Sequence, residues 1–221
     1  MALRVYADRH PEARGLLVLL PGAGDSAQLF LRHGFVAQVR ERGWPVDVLA
    51  VEANSDLYLD KSVLHRLHEE VIGPELAARP RPLWLAGISL GGAGASLYAR
   101  AHPGAVAGLL LLAPFFAVRG TIAEVTRAGG LDVWQPGQVM PDDDERGLLA
   151  WLKAWRVGEP ARYPPIWLGY GLDDRYAPAS ALLAARLPGG HLHTCPGGHD
   201  WAAWTQLWPR LLDSAGPSLP G

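Results

Sequence analysis

The chain has 221 residues with a formal net charge of −2, and its composition is 49% hydrophobic and 19% charged. A chain of this length buries enough surface on folding to be stable without a structural metal. The charge balance excludes the basic footprint of a nucleic-acid-binding protein, and the single cysteine excludes an internal disulfide.

The amino-terminal segment carries Arg4, Asp8 and Arg9, which interrupt any apolar stretch of the kind found in signal peptides. The apolar runs GLLVLLPG and AVAGLLLLAPFF are too short to span a bilayer and predict buried strands instead. We therefore expect a soluble, cytoplasmic protein with no nucleic-acid partner and no stable membrane insertion.

Apolar runs alternate along the chain with segments of helical periodicity. The runs LLVLL, LWLAGI and GLLLLA are continuously apolar, as expected for parallel strands that are covered on both faces. This alternation predicts an α/β protein with a mostly parallel central sheet of about seven strands, flanked by helices. The predicted strands lie near 2–7, 15–20, 46–51, 82–88, 106–113, 165–170 and 190–195.

Helices are predicted between these strands, near 27–42, 59–78, 91–102, 178–187 and 200–214. The second has the clearest periodicity, because Leu59, Val63, Leu67 and Val71 form one apolar stripe. No internal repeat or linker divides the chain. The sequence therefore predicts a single domain over 1–214, followed by a flexible, proline- and glycine-rich tail over 215–221.

Residues 117–160 separate two predicted strands by more than a single crossover helix requires. The segment contains TIAEVTRAGG, which includes a glycine turn, and DDDERGLLAWLKAW, which is typical of a helix capped by aspartates. We predict a small helical insertion over the carboxyl edge of the sheet, where open α/β sheets bind their ligands.

The stretch Gly87-Ile88-Ser89-Leu90-Gly91 matches the pattern G-x-S-x-G. The match lies between a predicted strand and a predicted helix, where such a serine sits on a sharp turn with its hydroxyl exposed above the sheet. A serine hydroxyl needs a base to act as a nucleophile, and that base needs an orienting acid. Ser89 is thus a candidate nucleophile only if the chain also supplies those partners.

Both partners are available on turns that follow later strands. IWLGYGLDDRYAP places an acidic turn after one strand, and HLHTCPGGHDWAAW places a histidine in a glycine turn after the last. His199 is the only one of the eight histidines in such a turn, whereas His191 and His193 lie on or beside the strand itself. Serine, aspartate and histidine therefore follow one another in the chain order expected for this geometry.

With these motifs the chain resembles α/β-hydrolases of the small, soluble carboxylesterase or thioesterase kind, from LLPGAG to GGHDWAAW. The resemblance implies an α/β-hydrolase fold and a catalytic acid within G-x-x-D-x-x-x-P, which Gly171, Asp174 and Pro178 match. Asp173 is the alternative acid, although bracing the turn is its favoured role. The GGHDWAAW segment also resembles the histidine segment of siderophore-ester and other esterase-type hydrolases.

Two backbone amides are candidates for the oxyanion hole. The resemblance implies that one comes from the residue after the nucleophile, here Leu90, and the other from the loop LLPGAGDSAQ after an early strand. Ala23 is the predicted donor in that loop. An ordinary strand-to-helix turn with Asp25 or Ser26 as the helix cap is the alternative interpretation of the same residues.

The predicted substrate pocket consists of Phe115, Phe116, Trp134 and Trp201, with other apolar groups of the insertion as a roof. The predicted activity is hydrolysis of short- to medium-chain carboxylic esters through an acyl-enzyme, without a metal or cofactor. An acyl-thioesterase or acyltransferase with the same triad, or a non-catalytic hydrolase-like binding protein, remains an alternative. The expected partner is a small acyl ester or thioester.

Overall fold

A seven-stranded sheet organises the computed structural model, which describes residues 2–218. The strands are β1 (Val5–Asp8), β2 (Gly15–Leu20), β3 (Val46–Val51), β4 (Leu83–Ile88), β5 (Val106–Leu112), β6 (Ile166–Gly171) and β7 (Leu192–Cys195). Their order is β1-β3-β2-β4-β5-β6-β7; β1 is antiparallel to β3, and all the other pairs are parallel. The predicted mostly parallel sheet is confirmed.

Helices connect the parallel strands. They are α1 (Gln28–Arg32), α2 (Phe35–Glu41), α3 (Ser55–Leu59), α4 (Val63–Leu67), a π-helical segment (His68–Ile72), α5 (Gly73–Ala78), α6 (Leu90–Ala101), α7 (Arg119–Arg127), α8 (Asp144–Ala154), α9 (Ala177–Ala184) and α10 (Trp201–Ala215). Within the described residues 2–218, no helix combines the length and apolarity needed to cross a membrane.

Two predicted helices are interrupted. The one expected over 27–42 breaks at Gly34, whose φ of 74° lies in the left-handed region, so α1 and α2 are separate. The one expected over 59–78 begins at Val63, because α3 ends at Leu59 and Lys61 has a φ of 61°. Leu59 is 81% exposed, so its assignment to the apolar stripe was wrong.

Apolar side chains cover both faces of the sheet. Along β2, Leu16, Val18 and Leu20 belong to one core cluster, whereas Leu17 and Leu19 belong to the other, as the two-residue period of a strand requires. Helices α6 and α8 contribute to the first cluster, and α2 and α10 contribute to the second. This double burial explains why the strand sequences are continuously apolar.

The segment between β5 and β6 contains α7 and α8. Asp143 caps α8, because its side chain accepts a hydrogen bond from the Arg146 amide at 2.9 Å, as the aspartate run predicted. At the other end of the chain, α10 continues to Ala215 and Gly216–Ser218 form a 3₁₀ turn. The last part of the predicted tail, 219–221, lies outside the described residues.

The strand order brings two loops together at the carboxyl edge. After β2 the chain moves to one side to form β3, and it then returns to form β4 on the other side of β2. Such a reversal opens a crevice beyond the carboxyl ends of the two strands. Leu20 is paired with Gly87, so the loop after β2 lies beside the turn after β4.

Candidate active site

Ser89 occupies the sharp turn between β4 and α6. Its backbone has φ 51° and ψ −114°, a conformation that is uncommon for any residue with a side chain. Three hydrogen bonds hold the turn: the Ser89 amide donates to Leu112 O (2.9 Å), and the Ser89 carbonyl accepts from Phe115 N (2.9 Å) and Ala93 N (3.2 Å). The surrounding backbone thus maintains a conformation that is unfavourable in isolation.

The glycines of the G-x-S-x-G pattern are required by close backbone contacts. A Cβ added at Gly87 would lie 2.2 Å from the Gly91 carbonyl oxygen. A Cβ added at Gly91 would lie 2.1 Å from the Leu20 carbonyl oxygen. Both distances are far below van der Waals contact, so side chains at these positions would push β4, α6 and the loop after β2 apart.

Ser89, His199 and Asp174 form a continuous hydrogen-bonded chain. His199 Nε2 lies 2.8 Å from Ser89 Oγ, although the two residues are 110 positions apart, and His199 Nδ1 lies 2.7 Å from Asp174 Oδ2. The Asp174 side chain is completely buried and that of His199 is 13% exposed. Because a carboxylate only accepts, Nδ1 carries the ring proton and Nε2 is free to accept the serine proton.

The two neighbouring aspartates have different contacts. Asp174 Oδ1 accepts a hydrogen bond from Tyr176 N at 2.7 Å, so both carboxylate oxygens of Asp174 are engaged. Asp173 instead accepts from Gly197 N at 3.2 Å on the exposed side of the turn. Of the two candidate acids, the structure brings Asp174 to His199, while Asp173 braces the histidine-bearing loop.

The other late histidines face away from Ser89. His191 Nδ1 lies 2.9 Å from the Ile166 carbonyl oxygen, and its ring stacks on Trp167. His193 Nε2 lies 2.5 Å from Ser214 Oγ on α10. Both contacts are within the scaffold, which agrees with the structural role expected from their position on β7.

Ala23 and Leu90 both line the cavity above Ser89. Leu90 is the first residue of α6, so its amide has no acceptor within the helix. The Ala23 amide donates to no acceptor among residues 2–218. Glu52 anchors the loop that carries Ala23 by accepting hydrogen bonds from Ser26 Oγ (3.2 Å) and Ala27 N (3.1 Å).

The alternative interpretation of this loop was an ordinary turn in which Asp25 or Ser26 caps the following helix, and it is correct only in part. Ser26 Oγ accepts a hydrogen bond from Gln28 N at 3.2 Å, as a residue near a helix start does. Asp25 makes no such cap and lines the cavity above Ser89 instead. The loop therefore both starts a helix and supplies the wall of the site.

The cavity above Ser89 has a volume of about 490 Å³. Its lining combines residues of the loop after β2 with aromatic and charged side chains from the turns after β6 and β7. The lining consists of Gly22, Ala23, Asp25, Ser89, Leu90, Phe115, Arg175, Tyr176, His199, Asp200, Trp201 and Trp204. Two of the four predicted pocket residues, Phe115 and Trp201, are among them.

The other two predicted pocket residues lie elsewhere. Phe116 is buried and lines an adjacent cavity of about 340 Å³. Trp134 is only 2% exposed, and its indole Nε1 donates to Glu124 at 2.9 Å within the segment between β5 and β6. The structure does not bring Trp134 to the site, because its side chain is buried in the apolar cluster that covers one face of the sheet.

Sequence reasoning did not select several of the lining residues, among them Tyr176, Trp204 and Asp25. The Tyr176 and Trp204 rings pack edge-to-face against His199, with centroid distances of 4.8 and 5.2 Å. Trp204 belongs to the apolar cluster on one face of the sheet, and it also lines the site. Tyr176 follows Asp174 by two positions, so its place in the acidic turn was the available signal.

Asp25 is the third. Burial raises the pKa of the Asp25 carboxyl, and the Trp201 indole and the His33 and His199 rings oppose that rise. The His33 ring stacks on Trp201 at 4.3 Å. An acidic and aromatic wall thus faces the serine across the cavity.

Among residues 2–218, no group of three or more His, Cys, Asp or Glu side chains is arranged to hold a metal ion. A family model described as "Putative esterase" matches residues 56–213, which is more than half of the chain and includes Ser89, Asp174 and His199. The chain belongs to this esterase family. No curated protein sequence matches the esterase.

Solved structures resemble the esterase in fold at low sequence identity. S-formylglutathione hydrolase FrmB from Staphylococcus aureus is 16% identical with a TM-score of 0.61, and the match covers 93% of this chain and 82% of that one. Est1E from Butyrivibrio proteoclasticus is 20% identical with a TM-score of 0.57, covering 97% and 95%. The enterobactin esterase FES from Shigella flexneri is 18% identical with a TM-score of 0.65, covering 99% and 57%. These similarities place the chain in the α/β-hydrolase fold.

Proposed function

We propose that this protein is a serine carboxylic ester hydrolase that acts through an acyl-enzyme, with Ser89 as nucleophile, His199 as base and Asp174 as orienting acid. The observation that carries the proposal is the unbroken hydrogen-bonded chain from Ser89 Oγ through His199 to the buried Asp174 carboxylate. Membership of the esterase family supports ester hydrolysis as the reaction class.

In the proposed first step, Ser89 Oγ attacks the ester carbonyl carbon while His199 Nε2 accepts the hydroxyl proton. The Asp174 carboxylate stabilises the imidazolium that results. The Ala23 and Leu90 amides donate hydrogen bonds to the oxyanion of the tetrahedral intermediate. His199 then gives its proton to the leaving alcohol as the carbon–oxygen bond breaks, which leaves the acyl group on Ser89.

The second step reverses these roles with water as the nucleophile. His199 takes a proton from water, the hydroxide adds to the acyl carbonyl, and Ser89 Oγ leaves with the proton that His199 returns. The product is a free carboxylic acid. The cavity of about 490 Å³ over Ser89 has room for the reacting groups of a short- or medium-chain ester, which supports small esters as substrates.

Labelling with a fluorophosphonate probe and hydrolysis of p-nitrophenyl esters test the proposal together. We expect wild type to label and to hydrolyse p-nitrophenyl butanoate, and Ser89→Ala to lose labelling and to fall by about 10⁴-fold or more in kcat. Ser96→Ala is the matched control, because Ser96 lies on the same helix and its hydroxyl donates to Gly92 O instead of His199.

Two results would contradict the proposal. Equal labelling of wild type and Ser89→Ala would show that another residue is the nucleophile. An absence of labelling in correctly folded wild type would favour the non-catalytic binding protein. Parallel assays with the butanoyl thioester and with an added acceptor alcohol separate ester hydrolysis from thioester hydrolysis and acyl transfer.

A further inference from the structure

A second cavity opens beside the candidate oxyanion hole. It has a volume of about 340 Å³ and shares Ala23, Leu90 and Phe115 with the cavity above Ser89. A carbonyl oxygen held by the Ala23 and Leu90 amides would therefore lie where the two cavities meet. One half of an ester could then enter each cavity.

The walls of this second cavity are mainly apolar, with Leu97, Phe116 and Leu148 among its lining residues. Two carboxylates, Asp144 and Glu145, line it as well. Arg100 pairs with Asp144 at 3.3 Å, whereas Glu145 accepts hydrogen bonds from the uncharged donors Val118 N and Thr121 Oγ1. An uncharged apolar group fits these surroundings better than an anionic one.

One residue that lines the cavity has a buried polar atom without a partner among the described residues. Tyr58 lines the cavity, its hydroxyl oxygen is buried, and that oxygen makes no hydrogen bond to any described residue. A buried hydroxyl without a partner costs about 1–3 kcal/mol, so a group that satisfies it gains a corresponding advantage in binding. Burial also raises the pKa of Tyr58, so the phenol keeps the proton that it would donate.

The position of Tyr58 depends on Gly94 of α6. A Cβ added at Gly94 would lie 2.4 Å from Tyr58 Oη, so the hydroxyl packs where any other residue would have a side chain. Gly94 is five positions after Ser89, which corresponds to a rise of about 7.5 Å along the helix. Taking this rise as the separation between the scissile carbonyl and the Tyr58 hydroxyl, an extended chain spans it with about six bonds.

We propose that this cavity binds the acyl group of the substrate, and that Tyr58 donates a hydrogen bond to an uncharged oxygen about six bonds from the scissile carbonyl. The preferred acyl group is therefore a medium-length, mostly apolar chain with an ether or keto oxygen near its far end. This assignment rests on the proposed ester hydrolysis at Ser89, and it makes Tyr58 a specificity-determining residue.

A matched pair of esters tests the assignment. The first is p-nitrophenyl octanoate, and the second is its isostere in which an ether oxygen replaces the seventh carbon. We expect the ratio of kcat/KM for the ether to that for octanoate to fall about fivefold in Tyr58→Phe, as the loss of one hydrogen bond predicts. Tyr6→Phe is the matched control, because Tyr6 lies on β1 at the far edge of the sheet, and its ratio should equal that of wild type.

Gly94→Ala tests the location of the acyl group separately. The added methyl group would drive the phenol into the cavity, so we expect kcat/KM for octanoate relative to acetate to fall about tenfold, the equivalent of two methylene groups losing their burial. The melting temperature of each variant shows whether it is folded. Unchanged chain-length selectivity in folded Gly94→Ala would overturn the acyl assignment.

Failure of the inference and failure of the proposed function are distinguishable. If wild type hydrolyses both esters and Tyr58→Phe keeps the wild-type ratio, the role of Tyr58 is overturned while ester hydrolysis stands. If wild type hydrolyses p-nitrophenyl butanoate but neither of these two esters, the acyl assignment is overturned while ester hydrolysis stands. If wild type hydrolyses none of the three esters, the proposed function fails, and calorimetry with the two free acids still tests the cavity. Tighter binding of the ether acid, lost in Tyr58→Phe, would then support the cavity; equal binding of both acids would overturn it.

Discussion

The turns that carry Ser89, Asp174 and His199 and the insertion over 117–160 are held in place by different kinds of contact. Around Ser89, backbone packs on backbone, and Gly87 and Gly91 leave no space for a methyl group. In the insertion, side chains connect the parts: Glu124 accepts hydrogen bonds from Trp134 and Arg146, and Asp132 pairs with Arg186, which follows α9. The first arrangement tolerates almost no change, whereas the second can lose individual contacts.

The two regions also differ in how accurately they must place their side chains. The proposed catalysis requires the hydrogen-bonded chain with distances of 2.7 and 2.8 Å, and rigid turns at strand ends hold that chain. Phe116 lies just before the insertion and Leu148 lies within it, and both line the second cavity. A wall can shift by a fraction of an ångström and still admit a substrate.

The largest effect should follow from a substitution at Asp174, which lies on one of the rigid turns. Asp174→Asn replaces a pure acceptor by an amide that can impose the wrong tautomer on His199, so we expect kcat to fall by about 10⁴-fold. Steady-state kinetics with p-nitrophenyl butanoate measure the change. Asp173→Asn is the control, with an expected change of about twofold, since its carboxylate contacts Gly197 N on the exposed face. A reversed order would assign the acid to Asp173.

Next in size is a steric test that compares one glycine from each region. Gly91→Ala would place a methyl carbon 2.1 Å from the Leu20 carbonyl oxygen, and we expect the free energy of unfolding to drop by about 4 kcal/mol or more. In α7, Gly120 has no atom within 4 Å of an added Cβ, so Gly120→Ala should raise stability by up to about 1 kcal/mol. Urea unfolding measures the free energy of unfolding of both variants. Similar changes in the two variants would contradict the difference in tolerance between the turns and the insertion.

The smallest effect should come from a single ion pair in the insertion, and it should depend on pH. Hydrogen bonds from Arg146 and Trp134 lower the pKa of Glu124 from its ordinary value of 4.5 to about 2. Because the folded-state pKa is the lower one, the stabilisation is complete above the ordinary value and disappears as the pH falls through about 2.

We therefore expect Glu124→Gln to lower the melting temperature by at most about 3 °C at neutral pH, because exposed ion pairs contribute little. This difference from wild type should shrink as the pH is lowered toward 2. Calorimetry across that range measures it, with Glu159→Gln as the control, since the Glu159 side chain has no partner among residues 2–218. A difference that grows with acidity would contradict the assigned direction.

Local patterns in the sequence predicted most of the scaffold. Continuous apolar runs predicted β2, β4 and β5, because a strand buried on both faces must be apolar at every position. The breaks at Gly34 and Lys61 were missed, since helical periodicity continues across a single left-handed residue. Leu59 was therefore placed in a core that the chain does not reach there.

The sequence by itself determined which residues could react: a serine between glycines, an aspartate and a histidine, each on the turn after a strand. Only the tertiary structure decided that they meet, because Ser89 and His199 are 110 positions apart and strand order alone sets their distance. It also decided that Trp204 contacts His199, that Trp134 stays within the insertion, and that Tyr58 reaches Gly94 beside the candidate oxyanion hole. Packing between distant elements is not encoded in any short segment, which is why these contacts could not be predicted from local pattern.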